Sequence, residues 1–367
     1  MERFTHGGDL TGYARRFPGQ KPLDFSANLN LLGMPEPVRA ALLEAVGECE
    51  RYPDPFCRAL TEGLAARWNL SPEQIFCGNG AAEIFDRLAA VLRPKSALLL
   101  APGFSEYERS LCREGCACRF HMLREEEGFA VTARVSDEID AGTGAVFLCS
   151  PNNPTGRVID PAVLDRIAER CEAVGAWLVV DECFGGFLAG DRERSMRRWL
   201  ERCDRLVVVR AFTKLYALAG VRLGWCMTQN PKFIEALHAA GQPWNVSHLA
   251  QRAGVAALGC DAFVRETVRV TARERAFLSE GLRQLGLRPY PGQANFILFC
   301  AGDGALAEKL LPHGIMLRDC ANFRGLGAGW YRAAVRKHEE NGQLLDALQE
   351  VLYGKNDHGA GDVLERG

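Results

Sequence analysis

The sequence predicts an α/β protein: a large domain with a mostly parallel sheet flanked by helices, joined to a smaller α+β domain. Two observations carry this expectation. Short, nearly continuous apolar runs alternate with segments of helical periodicity, the rhythm of βαβ units covered on both faces. After about residue 230 the rhythm gives way to a long helical tract, shorter strands and a closing helix. The 367 residues suit two domains at ~100–200 residues each.

In chain order, strands are expected at Ser96–Ala101, Ala145–Cys149, Trp177–Asp181, Leu206–Arg210 and Leu223–Met227. A helix is expected over residues 81–92, where Ile84, Phe85, Leu88, Val91 and Leu92 form one apolar stripe. Residues 161–174 read as a second helix, with Asp160 as N-cap, Pro161 at the first position and Gly175 as the stop. A helical tract at 247–285 follows, then strands Asn295–Cys300 and Ile315–Arg318. A closing helix carries Leu344, Leu345, Leu348, Val351 and Leu352 and ends before Gly354. The expected division is an arm and small-domain segment at 1–45, a large domain at 46–245, a small domain at 246–354 and a polar, frayed tail at 355–367.

Composition narrows the function classes. A net charge of −2 gives no electrostatic reason to expect nucleic acid or an anionic membrane as partner. No apolar run approaches the ~20 residues of a membrane span, and the N-terminus lacks a secretory apolar region. A cytoplasmic, reducing compartment is therefore expected. The fourteen cysteines are scattered, and Cys112, Cys116 and Cys118 lack metal-ligand spacing, so no metal is expected.

Four segments carry chemistry. In Arg210–Gly224, Lys214 leaves a strand, with Thr213 before it and Arg222 eight residues on. This suits an amine attacking a cofactor aldehyde beside a phosphate, although a solvated surface lysine gives the same pattern. Asp181 ends a hydrophobic strand, where it could face a pyridine nitrogen or simply cap a helix. Ser150–Gly156 (SPNNPTG) follows another strand and offers Asn153, though its composition is also that of a turn. Gly78–Gly80 precedes the helix at 81–92 and reads as a phosphate cradle or a plain turn.

Together, in this order, these segments identify a resemblance. The chain resembles fold-type-I pyridoxal-phosphate enzymes of the histidinol-phosphate aminotransferase group, and within it looks most like the threonine-phosphate decarboxylases of cobalamin biosynthesis. The resemblance runs from residue 6 to about 352. Its carriers include HGG at 6–8, RYPD at 51–54, PGFSEY at 102–107, DECF at 181–184, TKLYALAGVRLGW at 213–225 and RDCANFRGLGAGWYRAAVR at 318–336.

The resemblance implies pyridoxal 5′-phosphate as cofactor, Lys214 as its covalent anchor, Asp181 as partner of the ring nitrogen and Asn153 as donor to O3′. It makes Tyr107 the ring-stacking aromatic and gives the cofactor phosphate to Gly80, Ala81, Thr213 and Arg222. Tyr52 resembles the tyrosine that reaches a neighbouring subunit's cofactor, implying a homodimer with shared sites. His6, Gly7, Asn28, Asn153, Arg318 and Arg332 match positions that bind a phosphorylated amino acid. From the residues alone, His6 also reads as a disordered terminal residue, and the arginines as surface ion pairs. Two departures stand out: Ala211 replaces a usual serine, and Phe184 replaces the tyrosine frequent in the aminotransferases but matches the decarboxylases. The implied reaction is decarboxylation of L-threonine O-3-phosphate to (R)-1-amino-2-propanol O-2-phosphate, with serine phosphate not excluded. A histidinol-phosphate or related aminotransferase is the alternative, and a non-catalytic binding protein on the same fold a further one. A nucleotide-binding Rossmann protein has little support, because no G-x-G-x-x-G follows the first strand.

Overall fold

The computed structural model describes residues 6–354, so the tail expected at 355–367 lies outside the described residues. The strands are β1 (Leu23–Asp24), β2 (Ile75–Gly78), β3 (Ser96–Ala101), β4 (Ala117–Met122), β5 (Ala145–Cys149), β6 (Trp177–Asp181), β7 (Leu206–Ala211) and β8 (Gly224–Met227). They continue with β9 (Arg288–Pro289), β10 (Phe296–Cys300), β11 (Ile315–Met316), β12 (Arg318–Asp319) and β13 (Trp330–Ala334). Seven form the central sheet in the order β2-β8-β7-β6-β5-β3-β4. Its β3 to β7 pairings are parallel, and β8 runs antiparallel to both its neighbours. The mostly parallel sheet is therefore observed.

Alternating side chains of each strand feed separate cores on the two faces. Leu98, Val146, Val180 and Val208 point into one; Leu99, Phe147, Val179 and Val209 point into the other. Burial on both sides explains why these strands read as continuous apolar runs. The helix Pro161–Val174 begins and ends as its sequence implies: Asp160 Oδ1 accepts from the Ala162 N–H at 2.8 Å, and Gly175 closes it at φ 74°.

A four-stranded antiparallel sheet, β12-β13-β10-β9, packs against the helices Asp261–Gln284 and His338–Tyr353. The N-terminal segment joins this unit. Leu23 and Asp24 pair in parallel with Ile315 and Met316, and Phe25 is fully buried among Leu278, Ile297 and Tyr331.

Two expected elements divide. The tract at 247–285 breaks at Gly259 and Cys260 into His248–Leu258 and Asp261–Gln284; Ala250, Ala253 and Ala257 of the first half share a core with Leu60 and Leu64. Strand Ile315–Arg318 splits at Leu317, because Ile315–Met316 bonds to β1 while Arg318–Asp319 bonds to β13. In a pleated chain neighbouring residues project oppositely, so one short stretch serves two sheets.

Candidate active site

The carboxyl ends of β3, β5, β6 and β7 open on one edge of the sheet, around the point where strand order reverses between β3 and β5. Ligands of open α/β sheets bind at such an edge. Here it borders a cavity of about 370 Å³ between the central sheet and the smaller unit.

Each of the four expected segments reaches this edge. Asp181, at the end of β6, lies in register between Cys149 of β5 and Val209 of β7 and is 5% exposed. Its Oδ1 accepts from the Cys183 N–H at 2.8 Å and its Oδ2 from the Tyr107 hydroxyl at 2.6 Å. Burial raises its pKa, while those two donors pull the other way. A carboxylate so placed gains most from a cationic partner. Lys214, just past β7, projects into the same cavity. Burial, with Arg332 and Arg222 nearby, lowers its pKa to about 8, so its amine is readily freed as a nucleophile.

Opposite lies the start of the helix Gly80–Leu92. Gly80 is at φ 77°, and a Cβ there would sit 2.4 Å from an Arg222 guanidinium nitrogen. Glycine is therefore required both for the backbone and for the approach of Arg222. The first N–H groups of a helix lack intrahelical acceptors and favour an anion. Ala81, Ala82, Thr213 and Arg222 all line the cavity at this end.

The far end is built by the arm and the smaller sheet. Arg332 is 6% exposed; its Nη2 donates to the Ser26 carbonyl at 2.9 Å and its Nη1 to Asn153 Oδ1. Arg318 sits directly opposite it across the β12–β13 ladder. Asn28 Oδ1 and Arg332 Nε are buried without a hydrogen-bond partner and belong to residues that line this end of the cavity, so a ligand there could satisfy them. Gly7 lies so close to the Ser26 carbonyl that a Cβ would come within 2.1 Å of its oxygen; this contact brings His6 to the rim, where its Nε2 meets Glu106 Oε1 at 3.0 Å. His6 and Arg109 together hold the Glu106 carboxyl below its ordinary range.

Two expected residues stand elsewhere. Tyr107 does not line the cavity: it is the third residue of the helix Ser105–Arg113, packs edge-on against Phe85 and Phe104, and donates its hydroxyl to Asp181 from behind the lining. Phe104, immediately before that helix, lines the cavity in its place. The helix phase is the cause, since it turns the third residue toward the sheet. Tyr52 is 81% exposed, stacked on Trp244 with ring centroids 4.6 Å apart, and lies outside its own chain's cavity. Phe104, Glu106, Arg109, Cys183 and Phe323 line the cavity without having been singled out from the sequence. Only Phe104 had a usable signal: it follows a strand end directly. Ala211 and Phe184 also line the cavity, so neither a serine hydroxyl nor a phenol is present at those positions. Among the described residues, no group of three or more His, Cys, Asp or Glu is placed to hold a metal ion.

The residues fit pyridoxal phosphate. A half-buried lysine and a buried carboxylate line one cavity that has a helix start and an arginine at one end and unpartnered polar atoms at the other. Comparison with known proteins points the same way. Threonine-phosphate decarboxylase of Salmonella typhimurium is 36% identical over 356 residues, covering 95% of this chain and 97% of the relative. Among solved structures, histidinol-phosphate aminotransferase from Clostridium acetobutylicum superposes with TM-score 0.83 at 27% identity, covering 90% of this chain and 99% of that one. L-threonine-O-3-phosphate decarboxylase from Porphyromonas gingivalis does so with TM-score 0.80 at 25% identity, covering 89% and 98%. The fold is thus that of the fold-type-I pyridoxal-phosphate enzymes. The family model for class I and II aminotransferases matches residues 20–348, and the chain belongs to that family.

Proposed function

We propose that this chain is a pyridoxal 5′-phosphate-dependent carbon–carbon lyase that decarboxylates L-threonine O-3-phosphate to (R)-1-amino-2-propanol O-2-phosphate in cobalamin biosynthesis. Serine phosphate falls within the same reading, because a pocket discriminates one methyl by only ~1–3 kcal/mol. The observation that carries the proposal is the pair Arg318 and Arg332, opposed across one ladder and both facing the cavity that holds Lys214. The likeness to two threonine-phosphate decarboxylases supports it.

When bound, pyridoxal phosphate supplies an aldehyde that condenses with an amine and a ring that accepts the electron pair released at Cα. Lys214 anchors it and later moves a proton at Cα. Asp181, oriented by Tyr107 and the Cys183 N–H, would pair with the ring nitrogen and hold a proton there. Asn153 accepts from Arg332 through Oδ1, leaving its amide N–H groups to donate to O3′. The helix start at Gly80 and Ala81, with Thr213 and Arg222, holds the cofactor phosphate. Arg318, Arg332, His6, Gly7 and Asn28 take the substrate phosphate, and the bidentate, charge-assisted contacts open to the two arginines suit a monoester. With the arginines committed to the phosphate, the α-carboxylate would be left without a cationic partner, and its bond to Cα would be free to align for cleavage.

A second reading, a histidinol-phosphate or related aminotransferase, is favoured by one observation. Arg332 bonds to Asn153, the residue assigned to O3′, and from there it could hold an α-carboxylate instead. Incubation of the cofactor-loaded protein with threonine phosphate separates the two. Carbon dioxide released one-for-one with amine, without 2-oxoglutarate, supports the lyase; a keto product that depends on 2-oxoglutarate supports the aminotransferase. A cofactor absorbance band with no turnover of any phosphorylated amine would overturn both.

The proposal includes a homodimer in a reducing cytoplasm. Exposed Leu43, Val46, Tyr52, Phe56, Trp244 and Val255 offer apolar surface to a second copy, with Tyr52 reaching that copy's cofactor. All fourteen cysteines are free. Light scattering of the purified protein reads its oligomeric state.

A further inference from the structure

Two segments contribute lining residues to the cavity, the arm through His6 and Gly7 and a strap through Phe323, and both are tied to one turn of helix. The N-terminal arm brings His6 to Glu106, at 3.0 Å. The strap from Cys320 to Gly329, between β12 and β13, brings Arg324 to Glu108: Nη2 donates to Oε1 at 2.9 Å, and the guanidinium lies 3.9 Å from the Phe120 ring centre. Glu106 and Glu108 are the second and fourth residues of the helix Ser105–Arg113. Two positions on a helix are separated by about 200° around its axis, so the two carboxylates face opposite ways and reach one segment each. Both sit in the first turn, where the helix dipole favours a negative charge.

The strap also reaches Arg318. Its Asn322 Oδ1 accepts from Arg318 Nη2 at 2.8 Å, and the Phe323 ring, which lines the cavity, lies 5.2 Å from the Arg318 guanidinium. A continuous chain of contacts thus runs from Glu108 through Arg324 and its strap neighbours to Arg318. On the other side, Glu106 is the ring partner of His6 and also meets Arg109 at 3.5 Å. The negative charges of both glutamates are therefore met by protein cations, and neither repels an incoming phosphate at full strength.

We infer that Glu106 and Glu108 are positioning residues for recognition of the substrate's phosphate: Glu106 sets His6, and Glu108, through Arg324, sets Arg318. One helical turn of the large unit thereby aligns anion-binding groups that come from the two ends of the chain. The inference rests on the reading of His6 and Arg318 as phosphate-binding groups. Half-exposed ion pairs contribute little to stability by themselves, so the expected signature is on substrate affinity.

The test is steady-state carbon dioxide release from threonine phosphate by the cofactor-loaded protein, comparing Glu106→Gln, Glu108→Gln, the double variant, Arg324→Lys and Arg318→Ala. The expected result is a KM raised about tenfold by Glu106→Gln and about threefold by Glu108→Gln, with the factors multiplying in the double variant. In both, kcat stays within about twofold, as it does for KM in Arg324→Lys, which keeps the ion pair. Where Glu108→Gln melts early, the exchanged pair Glu108→Arg with Arg324→Glu serves instead, and recovery of KM supports the inference while failure to recover it overturns it. Unchanged KM in both glutamine variants, with KM raised in Arg318→Ala, overturns the inference and leaves the proposed function standing. Unchanged KM in Arg318→Ala overturns the underlying reading and the inference with it. A fall in kcat and in cofactor absorbance at constant KM marks the glutamates as structural, which also overturns it.

Discussion

Replacing Arg332 by methionine separates what this guanidinium does for binding from what it does to the fold. The side chain is buried on β13, and burial brings its pKa from 12.5 down to about 10. At ~1.4 kcal/mol per pKa unit, the charged form is disfavoured in the folded state by about 3 kcal/mol. A cation whose pKa falls on folding carries that penalty while protonated in both states, below about pH 10, and sheds it as the pH rises further. Methionine removes the penalty. It also strips Asn153 Oδ1 and the Ser26 carbonyl of their donor, at ~1–3 kcal/mol each. The opposing effects nearly cancel, so unfolding free energy should change by less than about 2 kcal/mol, a melting shift of only a few degrees in a chain of this size. Substrate affinity has no such compensation. Loss of a charge-assisted contact to phosphate, ~1.5–3 kcal/mol, should raise KM for threonine phosphate roughly 10- to 100-fold. Carbon dioxide release and thermal melts on one preparation read both. A melting loss beyond about 10 °C with KM unchanged would make Arg332 a structural strut and refute this account.

Four further outcomes follow from the same geometry. Capture of pyridoxal phosphate by the apo-protein should accelerate with pH around a midpoint of about 8, as Lys214 loses its proton; a midpoint near 10 would contradict its burial. Because the unfolded chain holds that proton up to about 10.5, apo-protein stability should also rise between pH 8 and 10.5, and Lys214→Met should abolish this rise in denaturant melts. Tyr107→Phe removes a buried donor from Asp181 and should weaken cofactor retention about tenfold by equilibrium dialysis, with the fold intact; unaltered retention would deny Tyr107 its part in orienting the carboxylate. Gly80→Ala, strained at positive φ and crowding Arg222, should lower the melting temperature by several degrees, equivalent to ~1–2 kcal/mol, and weaken cofactor binding more than Tyr107→Phe does.

How much of this was legible depended on how local each signal was. Strands β3, β5, β6 and β7 announced themselves because both faces are buried and their hydrophobicity is unbroken. Strand β4 did not: it is the sheet edge, Ala117 and Arg119 face solvent, and its apolar pattern is interrupted by Arg119 and His121. The two-residue strands β1 and β11 exist only because Leu23 meets Ile315, a pairing with no local trace. In the site, Lys214, Asp181 and Asn153 were readable because each lies at a strand end or within a few residues past one. Tyr107 was assigned to the cavity on its motif alone, whereas the phase of a helix starting at Ser105 decides the matter and gives the place to Phe104. Glu106 and Phe323 carried no signal because their contacts, with His6 and Arg318, depend on how the arm and the strap fold back over the sheet.

The electrostatics of the far end bear on which bond breaks. Like charges placed directly opposite on neighbouring antiparallel strands destabilise a sheet, yet Arg318 and Arg332 are so placed. The oxygens they bond, Asp319 carbonyl and Asn322 Oδ1 for one, Asn153 Oδ1 and Ser26 carbonyl for the other, are neutral. Such a pair gains most from an anion carrying close to two charges. A phosphate monoester carries about −1.5 to −2 at neutral pH, while an α-carboxylate carries one. If the phosphate occupies both guanidiniums, neither remains to grip the α-carboxylate, and its bond to Cα would be free to align for cleavage. An aminotransferase would need the opposite division, with Arg332 beside Asn153 gripping the carboxylate and Arg318 left alone with the phosphate. The same cofactor residues serve either chemistry, so the choice between a lyase and a transferase reduces to which anion Arg332 meets.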